Sequence, residues 1–287
     1  MEKVQNEEVI PLMFADKSGR YKALVISEKI QIDYPGIPNS LKELGYSFGN
    51  PESDFVVIYS QGGPFPKLSS WKWQKWMLSL NEEFGSYFFI NSMKTQIINS
   101  DEYSQKEISF DEAKTYIEST TEILEDLVKY FKSQNKKVYL YGISHGAFIV
   151  ENLIATKGNI ADGYLAMVGR LDMDDEMWRS RANNGRARFL DDGKTIVQTE
   201  VDSTIIGRNQ DKLHAAKAYK RYTELLKGIN LSNMIYLYAK LDQKVGSLTK
   251  KEIEFLESAG AKVIASEGNH SSFQPYLETL MKQLIKN

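Results

Sequence analysis

From residue 54 onward, short apolar runs alternate with segments of helical periodicity, and this alternation restricts the chain to few architectures. The apolar runs have the length of strands that are buried on both faces. They lie at residues 55–59, 87–90, 138–141, 164–168, 234–238 and 261–265. Amphipathic helices are predicted between them, and a final helix over 273–285. Strands that alternate with helices form βαβ units, so the sequence predicts an α/β fold with a mostly parallel central sheet and helices on both faces.

Two regions depart from this alternation. Residues 21–33 alternate partly between apolar and polar side chains, which predicts one or two early strands and a turn. Residues 172–230 are charged and rich in Arg and Asn. We interpret them as a cap inserted over the carboxyl edge of the sheet, so that residues 1–171 and 231–287 form the core. The Ser-Phe-Asp-Glu run that begins at Ser109 has the spacing of a capping box and predicts a helix start.

Composition excludes several functions. The 287 residues include 36 Lys and Arg and 38 Asp and Glu, for a net charge of −2. A nucleic-acid partner is not expected, because such domains carry clustered basic residues. The chain has no Cys, so disulfides, thiolate metal sites and a cysteine nucleophile are excluded. The uncharged run at 138–150 is shorter than the ~20 residues that span a bilayer. The polar, acidic N-terminus has no signal-peptide pattern, which favours a cytoplasmic location.

The sharpest motif is Gly142-Ile143-Ser144-His145-Gly146. It follows a buried strand directly and precedes an apolar-faced helix, which is the setting of a nucleophile elbow. Glycines suit such a sharp turn, because side chains there would collide with the neighbouring strand and helix. Ser144 would be exposed at the tip, near a helix N-terminus that favours developing negative charge. The alternative is a glycine-rich turn with an N-capping serine.

This motif in its context resembles the α/β-hydrolase superfamily, whose triad runs serine, acid, histidine along the chain. By that resemblance Ser144 is the nucleophile, Asp242 the acid and His270 the base. Asp242 and His270 both follow predicted strands, at the same sheet edge as Ser144. Asp172 is a rival acid, because some members of the superfamily carry their acid after the strand at 164–168.

The Gln61-Gly62-Gly63-Pro64 loop follows an earlier buried strand, where the superfamily usually carries His-Gly-Gly. The resemblance implies an oxyanion hole made by the backbone N–H groups of Gly63 and His145. Gln61 stands in place of the usual histidine, and the loop could also be a plain turn. The His145 side chain is expected to point away from Ser144, so only its backbone is assigned a role.

Each of the remaining candidate residues also has an interpretation in which it has only a structural role. His214 is interpreted as a surface helical residue. Helical spacing favours core packing for most of the tryptophans that follow the Gly-Gly loop, whereas Trp71 lies off that face and could line the pocket mouth. Trp178 is a second candidate for substrate binding. Five arginines surround the start of the insertion, with acids interspersed, and we interpret the segment as solvated and internally paired. They are Arg170, Arg179, Arg181, Arg186 and Arg188.

The resemblance implies a serine hydrolase that cleaves carboxylic esters or related acyl bonds through an acyl-enzyme, with no metal and no organic cofactor. The expected substrate is a small ester, an acyl compound or a short peptide. A peptidase of the prolyl-aminopeptidase type and a thioesterase stay open as alternatives. A non-catalytic binding protein on the same scaffold is the alternative of another class; such proteins typically lack a triad member, and this chain has a candidate for each.

Overall fold

The computed structural model describes residues 12–15, 21–24, 31–68 and 82–286. The strands are numbered in chain order. They are β1 (Leu12–Ala15), β2 (Tyr21–Leu24), β3 (Gly45–Gly49), β4 (Phe55–Ser60), β5 (Phe88–Ser92), β6 (Lys137–Ile143), β7 (Gly163–Met167), β8 (Arg186–Phe189), β9 (Ile196–Thr199), β10 (Met234–Ala239) and β11 (Lys262–Ser266).

The helices of the described residues are numbered in the same way. They are α1 (Asn39–Lys42), α2 (Thr95–Ile98), α3 (Ser100–Gln105), α4 (Phe110–Ser133), α5 (His145–Lys157), α6 (Asp175–Ala182), α7 (Ile205–Ala218), α8 (Tyr222–Leu225), α9 (Lys250–Ser258) and α10 (Leu277–Lys286). Two 3-10 turns, Glu82–Ser86 and Gln274–Tyr276, accompany them. None of the helices in the described part of the chain is long and apolar enough to cross a bilayer.

Seven strands form the central sheet in the order β11-β10-β7-β6-β4-β5-β3. Each neighbouring pair is parallel except β3 and β5, which are antiparallel at one edge. The predicted α/β architecture with a mostly parallel sheet is therefore confirmed. Strand β3 was not predicted, since its Gly-Tyr-Ser-Phe-Gly sequence carries glycines that weaken a strand signal.

The sheet is covered on both faces, which explains the continuous apolar runs. Along β4, Val56 and Ile58 pack into the cluster that includes side chains of α4 and α5. Val57 and Tyr59 point the other way, into the cluster that includes α10. Successive side chains of a strand point to opposite faces, so each residue of such a strand must be apolar.

The capping box at Ser109 is confirmed. Its hydroxyl accepts a hydrogen bond from the N–H of Glu112, and the Glu112 carboxylate accepts one from the Ser109 N–H. The same reciprocal pair begins α9, between Thr249 and Glu252. Each box satisfies two N–H groups that a helix start leaves unpaired, which sets where these helices begin.

The segment between β7 and β10 contains α6, the antiparallel pair β8–β9, α7 and α8. The buried Asn209 of α7 ties this segment to the chain before α4. Its amide donates to the carbonyl oxygens of Tyr103 (2.7 Å) and Lys106 (2.8 Å), and its Oδ1 accepts from the Ile108 N–H (2.9 Å). That residues 172–230 act as a cap stays a prediction.

At the N-terminal end, β1 and β2 pair as a small antiparallel sheet of their own. Of the one or two strands expected within residues 21–33, β2 is present, residues 25–30 lie outside the described residues, and residues 31–33 are not in a strand. The amphipathic helix expected around the tryptophans that follow the Gly-Gly loop also lies outside the described residues.

Candidate active site

Ser144, Asp242 and His270 all lie beyond the carboxyl ends of strands in one part of the sheet. Ser144 follows β6, Asp242 follows β10 and His270 follows β11. Strands β6, β7, β10 and β11 are consecutive neighbours and parallel, so their carboxyl ends share one edge. Ligands of open α/β sheets bind at this edge.

Ser144 has an unusual backbone conformation, with φ +54° and ψ −114°. A positive φ is uncommon for a residue other than glycine and costs of order 1–3 kcal/mol. The flanking glycines are required by close approach. A Cβ on Gly142 would lie 2.2 Å from the Gly146 carbonyl oxygen, and a Cβ on Gly146 would lie 1.8 Å from the Ser60 carbonyl oxygen. The collision expected from the sequence is therefore confirmed, and the turn presents Ser144 at its tip.

Asp242 and His270 form a hydrogen-bonded pair, with 2.7 Å between Asp242 Oδ2 and His270 Nδ1. The other carboxylate oxygen, Oδ1, accepts hydrogen bonds from the N–H groups of Lys244 (2.8 Å) and Val245 (3.0 Å). The Asp242 side chain is 1% exposed, and the His270 side chain is 19% exposed. The buried carboxylate thus fixes the orientation of an imidazole whose other edge is free to reach solvent or substrate.

Ser144 is not joined to this pair by a hydrogen bond. Within the described residues, neither the Ser144 hydroxyl nor His270 Nε2 has a hydrogen-bond partner. Ser144 lines a cavity of about 120 Å³ beneath the segment between β7 and β10. Hydrogen bonds between catalytic groups are often long without substrate, so geometry of this kind does not disqualify a base.

The rival acid, Asp172, has different partners. Its carboxylate accepts hydrogen bonds from the hydroxyl (2.5 Å) and the N–H (3.2 Å) of Thr223. Its own N–H donates to Glu252 Oε1. Asp172 therefore holds the start of α8, and the structure brings Asp242 rather than Asp172 to His270.

The Gly-Gly loop lies against the serine turn. A Cβ on Gly62 would be 3.7 Å from the Cβ of Ser144. Gly63 has φ +68°, and a Cβ there would lie 2.2 Å from the ring of Phe65, so the loop requires glycine at this position. Among the described residues, the N–H groups of Gly63 and His145 have no hydrogen-bond acceptor. Two unpaired donors beside Ser144 are what an oxyanion requires.

Lys94 contacts the Gly-Gly loop, and the sequence analysis did not identify it. It is fully buried, and its Nζ donates a 2.7 Å hydrogen bond to the Gly63 carbonyl oxygen. Burial lowers the pKa of Lys94 to about 7. Lys94 lies two residues beyond the end of β5, so its position at the carboxyl edge was the signal that could have revealed it.

The two other histidines, His145 and His214, are both at least partly buried. The His145 side chain is fully buried, and neither ring nitrogen has a partner among the described residues. His214 was interpreted as a surface residue, and this is wrong. It is half-buried, lines the Ser144 cavity, and lies 6.2 Å from His145 between ring centroids. Burial, with Lys217 nearby, lowers the pKa of both histidines well below the ordinary value.

The interpretation of the arginines as solvated and paired is correct in part. Arg179 is exposed and pairs with Asp175. Arg170 is buried, not solvated, and pairs with Asp174 and Glu252. The other three arginines line a cavity of about 470 Å³. They are Arg181, Arg186 and Arg188. The spacing of charged residues along the sequence does not show which of them face the interior once the inserted segment is folded.

The two tryptophans proposed to bind substrate have different outcomes. Trp71 lies outside the described residues. Trp178 lines a small recess near His214, while its ring stacks on Phe110 at 6.1 Å and its Nε1 donates to Asp175. Its substrate contact stays a prediction. Among the described residues there is no group of three His, Asp or Glu side chains able to hold a metal ion.

Neither a protein-family model nor a curated protein sequence matches the chain. Solved structures do resemble it. They include a metagenome-derived lipolytic enzyme of the LipS and LipT pair, at 12% identity and TM-score 0.53, over 88% of this chain and 99% of that one. A lipase-esterase related protein from Clostridium acetobutylicum matches at 12% identity and TM-score 0.54, over 84% and 99%.

A third structure is MGS-M2, an α/β-hydrolase enzyme from a deep-sea metagenome library of the Medee basin. It matches at 12% identity and TM-score 0.52, over 85% of this chain and 94% of that one. The order of the sheet and these similarities together define the class. The chain has the α/β-hydrolase fold.

Proposed function

We propose that this protein is a serine hydrolase that cleaves carboxylic esters through an acyl-enzyme on Ser144. The observation that carries the proposal is the strained Ser144 turn, because its positive φ is maintained between glycines that cannot carry side chains. Strained backbone concentrates at functional sites. The Asp242–His270 pair at the same sheet edge supplies the base and its orienting acid.

In the first step, Ser144 Oγ attacks the ester carbonyl carbon and His270 Nε2 takes the hydroxyl proton. The Nδ1–H of His270 donates to Asp242, which keeps Nε2 in its accepting tautomer and stabilises the imidazolium as it forms. The N–H groups of Gly63 and His145 donate to the oxyanion. Collapse of the tetrahedral intermediate transfers the proton from His270 to the leaving alcohol.

In the second step, water replaces the alcohol. His270 removes a proton from the water as its oxygen attacks the acyl carbon, and Ser144 leaves with that proton. Both steps use the same donors and the same base. The choice of an ester is supported by the lipolytic and lipase-esterase related proteins that share the fold, although a fold alone does not determine a substrate.

A fluorophosphonate probe tests the nucleophile. We expect covalent labelling of purified protein at Ser144, located by peptide mapping, and no labelling of Ser144→Ala. Ser271→Ala is the matched control, since this exposed serine adjoins His270 and should leave labelling intact. Labelling at another residue, or none on well-folded protein, would refute the proposal.

A substrate panel then tests the bond that is cleaved. We expect p-nitrophenyl butyrate to be hydrolysed in a Ser144-dependent manner, and faster than a proline p-nitroanilide or a butyryl thioester. Faster cleavage of the anilide would favour a peptidase, and faster cleavage of the thioester would favour a thioesterase. Labelling without turnover of any of the three would point to a binding protein on this scaffold.

A further inference from the structure

Cationic side chains surround the cavity that contains Ser144. Arg181, Arg186 and Lys244 line this cavity of about 120 Å³. The same three side chains line an outer cavity of about 470 Å³, together with Arg188. Asp211 also lines the inner cavity and Glu200 the outer one, so positive side chains outnumber negative ones along the way to Ser144.

The acids nearby leave this positive charge incompletely neutralised. Arg181 and Arg186 share one carboxylate, Asp211, at 3.8 and 3.7 Å, and Arg186 also pairs with Asp202 at 3.2 Å. Within the described residues, the Lys244 side chain has no ion pair. Two guanidinium groups with two carboxylates, Asp211 and Asp202, and an ammonium without an ion pair beside them leave an excess of positive charge that attracts anions.

A buried lysine without a hydrogen-bond partner provides a second and independent observation. Lys217 is 1% exposed, and its Nζ has no hydrogen-bond partner among the described residues. Nζ lies 4.3 Å from the centre of the Phe148 ring. Lys217 lines a recess with Arg181, His214 and Lys244, three residues that also line the Ser144 cavity. A buried amine without an acceptor is costly, because it has lost its hydration, and burial lowers the pKa of Lys217 well below its ordinary value. An anion bound nearby would favour the charged form of this amine.

We propose that these cations form a carboxylate subsite, and that the substrate is a compact ester whose acyl group ends in a carboxylate. The inference rests on the proposed ester hydrolysis at Ser144. In this arrangement the ester carbonyl lies at Ser144, while the distal carboxylate accepts charge-assisted hydrogen bonds from Arg181 and Lys244, which line the same cavity. Lys217 lies in the adjoining recess of about 10 Å³ and acts on the carboxylate through its charge rather than by direct contact.

The size of the inner cavity limits the acyl chain. Its volume of about 120 Å³ is small beside the roughly 300–1,000 Å³ of pockets that bind drug-sized ligands. A half-ester of a short dicarboxylic acid is of this size, whereas a long fatty acyl chain is not. The polar and charged lining of the cavity is also unsuited to a hydrocarbon chain.

Two methyl esters of the same shape test the subsite. Monomethyl succinate carries the distal carboxylate, and methyl succinamate replaces it with a neutral amide. We expect kcat/KM, measured from methanol release, to be about 10- to 100-fold higher for monomethyl succinate, the range expected of one or two charge-assisted hydrogen bonds. Equal values, or a preference for the amide, would overturn the proposal.

Variants of the subsite lysines test whether these residues cause the preference for monomethyl succinate. Lys217→Met and Lys244→Met should each lower the ratio of the two kcat/KM values at least about threefold. Lys217→Met replaces a buried, unpaired amine with an apolar side chain of similar volume, so it should fold. Arg179→Gln is the matched control: this arginine lies on the same helix as Arg181 but is exposed and paired, and its loss should keep the ratio. An unchanged ratio in both lysine variants would refute the assignment.

Inhibition identifies the anion. Succinate should compete with monomethyl succinate, and inorganic phosphate should compete at least about tenfold more weakly; tighter binding of phosphate would refute a carboxylate subsite. A failure of the carboxylate subsite can be distinguished from a failure of the hydrolase proposal. Ser144-dependent turnover of both esters at equal rates would reject the subsite alone. No turnover of either ester or of p-nitrophenyl butyrate, with no fluorophosphonate labelling, would reject the hydrolase proposal itself.

Discussion

The carboxyl edge of the sheet and the segment between β7 and β10 hold their polar groups in different ways. At the edge, backbone geometry positions each group: Ser144 by a turn that requires glycines, and Asp242 by two N–H groups. In the inserted segment, charged side chains take part in positioning one another: Arg186 pairs with Asp202 and Asp211. Arg181 lies near Asp211 as well and also donates to the Ala187 carbonyl oxygen.

This difference suggests a division of roles. Positions held by backbone suit chemistry, because a displacement of about 1 Å can cost 10²-fold in rate. Cations held by side chains can rearrange around a ligand and suit recognition. Substitutions at the edge should therefore reduce turnover of every ester, whereas substitutions in the inserted segment should change which ester is preferred.

The largest effect is expected from the base. His270→Gln should reduce kcat about 10⁶-fold, the size of the loss when a triad histidine is removed from a serine protease. His214→Gln should cost about tenfold or less, although His214 lines the cavity of Ser144. Steady-state kinetics with p-nitrophenyl butyrate makes the comparison. If His214→Gln lost nearly all activity and His270→Gln did not, the base would come from the inserted segment. The proposal that the sheet edge carries out the chemistry would then be wrong.

The acid comes next. Asp242→Asn places an amide where the imidazole needs an acceptor, so it favours the wrong tautomer and should reduce kcat about 10⁴-fold. Asp172→Asn should cost about tenfold or less, because Asp172 contacts Thr223 and not His270. Fluorophosphonate-accessible Ser144 and an unchanged circular dichroism spectrum serve as controls. The reverse result would move the acid to the strand before the insertion.

A smaller effect on turnover is expected from Lys94, which contacts the Gly-Gly loop. Lys94→Met removes the hydrogen bond to the Gly63 carbonyl oxygen, and we expect kcat to fall about tenfold with KM nearly constant. Tyr103→Phe is the matched control, since its hydroxyl donates to the next carbonyl, that of Pro64, at a longer 3.3 Å. A change confined to KM would show that Lys94 does not position the oxyanion donors.

The smallest effect concerns stability. The pKa of Lys94 is about 7 in the folded protein and higher in the unfolded chain, because burial disfavours the charged form. The unfolded chain therefore binds more protons between pH 7 and the unfolded pKa, and stability rises with pH in that window. From pH 7 to 9, the free energy of unfolding of the wild type should rise by about 2 kcal/mol relative to Lys94→Met. Urea unfolding at both pH values measures it, and parallel curves would contradict the burial argument.

Much of the fold was predictable because its signals are local. Runs such as residues 55–59 are apolar at successive positions, which only a strand covered on both faces requires. The box at Ser109 gives a helix start from neighbouring residues. Strand β3 and the β8–β9 pair were missed, because short strands with glycines or charges, such as Arg186–Phe189, owe their conformation to their partners.

The sequence by itself determined the alternation of buried strands with helices and the serine turn between two glycines. Each of these is written within a few consecutive residues. Only the tertiary structure decided that Asp242 rather than Asp172 meets His270, because the choice depends on which strands are neighbours in the sheet. It also decided that Lys94 and Lys217 are buried and that His214 faces the cavity. A Lys or a His is the same letter in solvent and in the interior, and burial is a property of what packs against it.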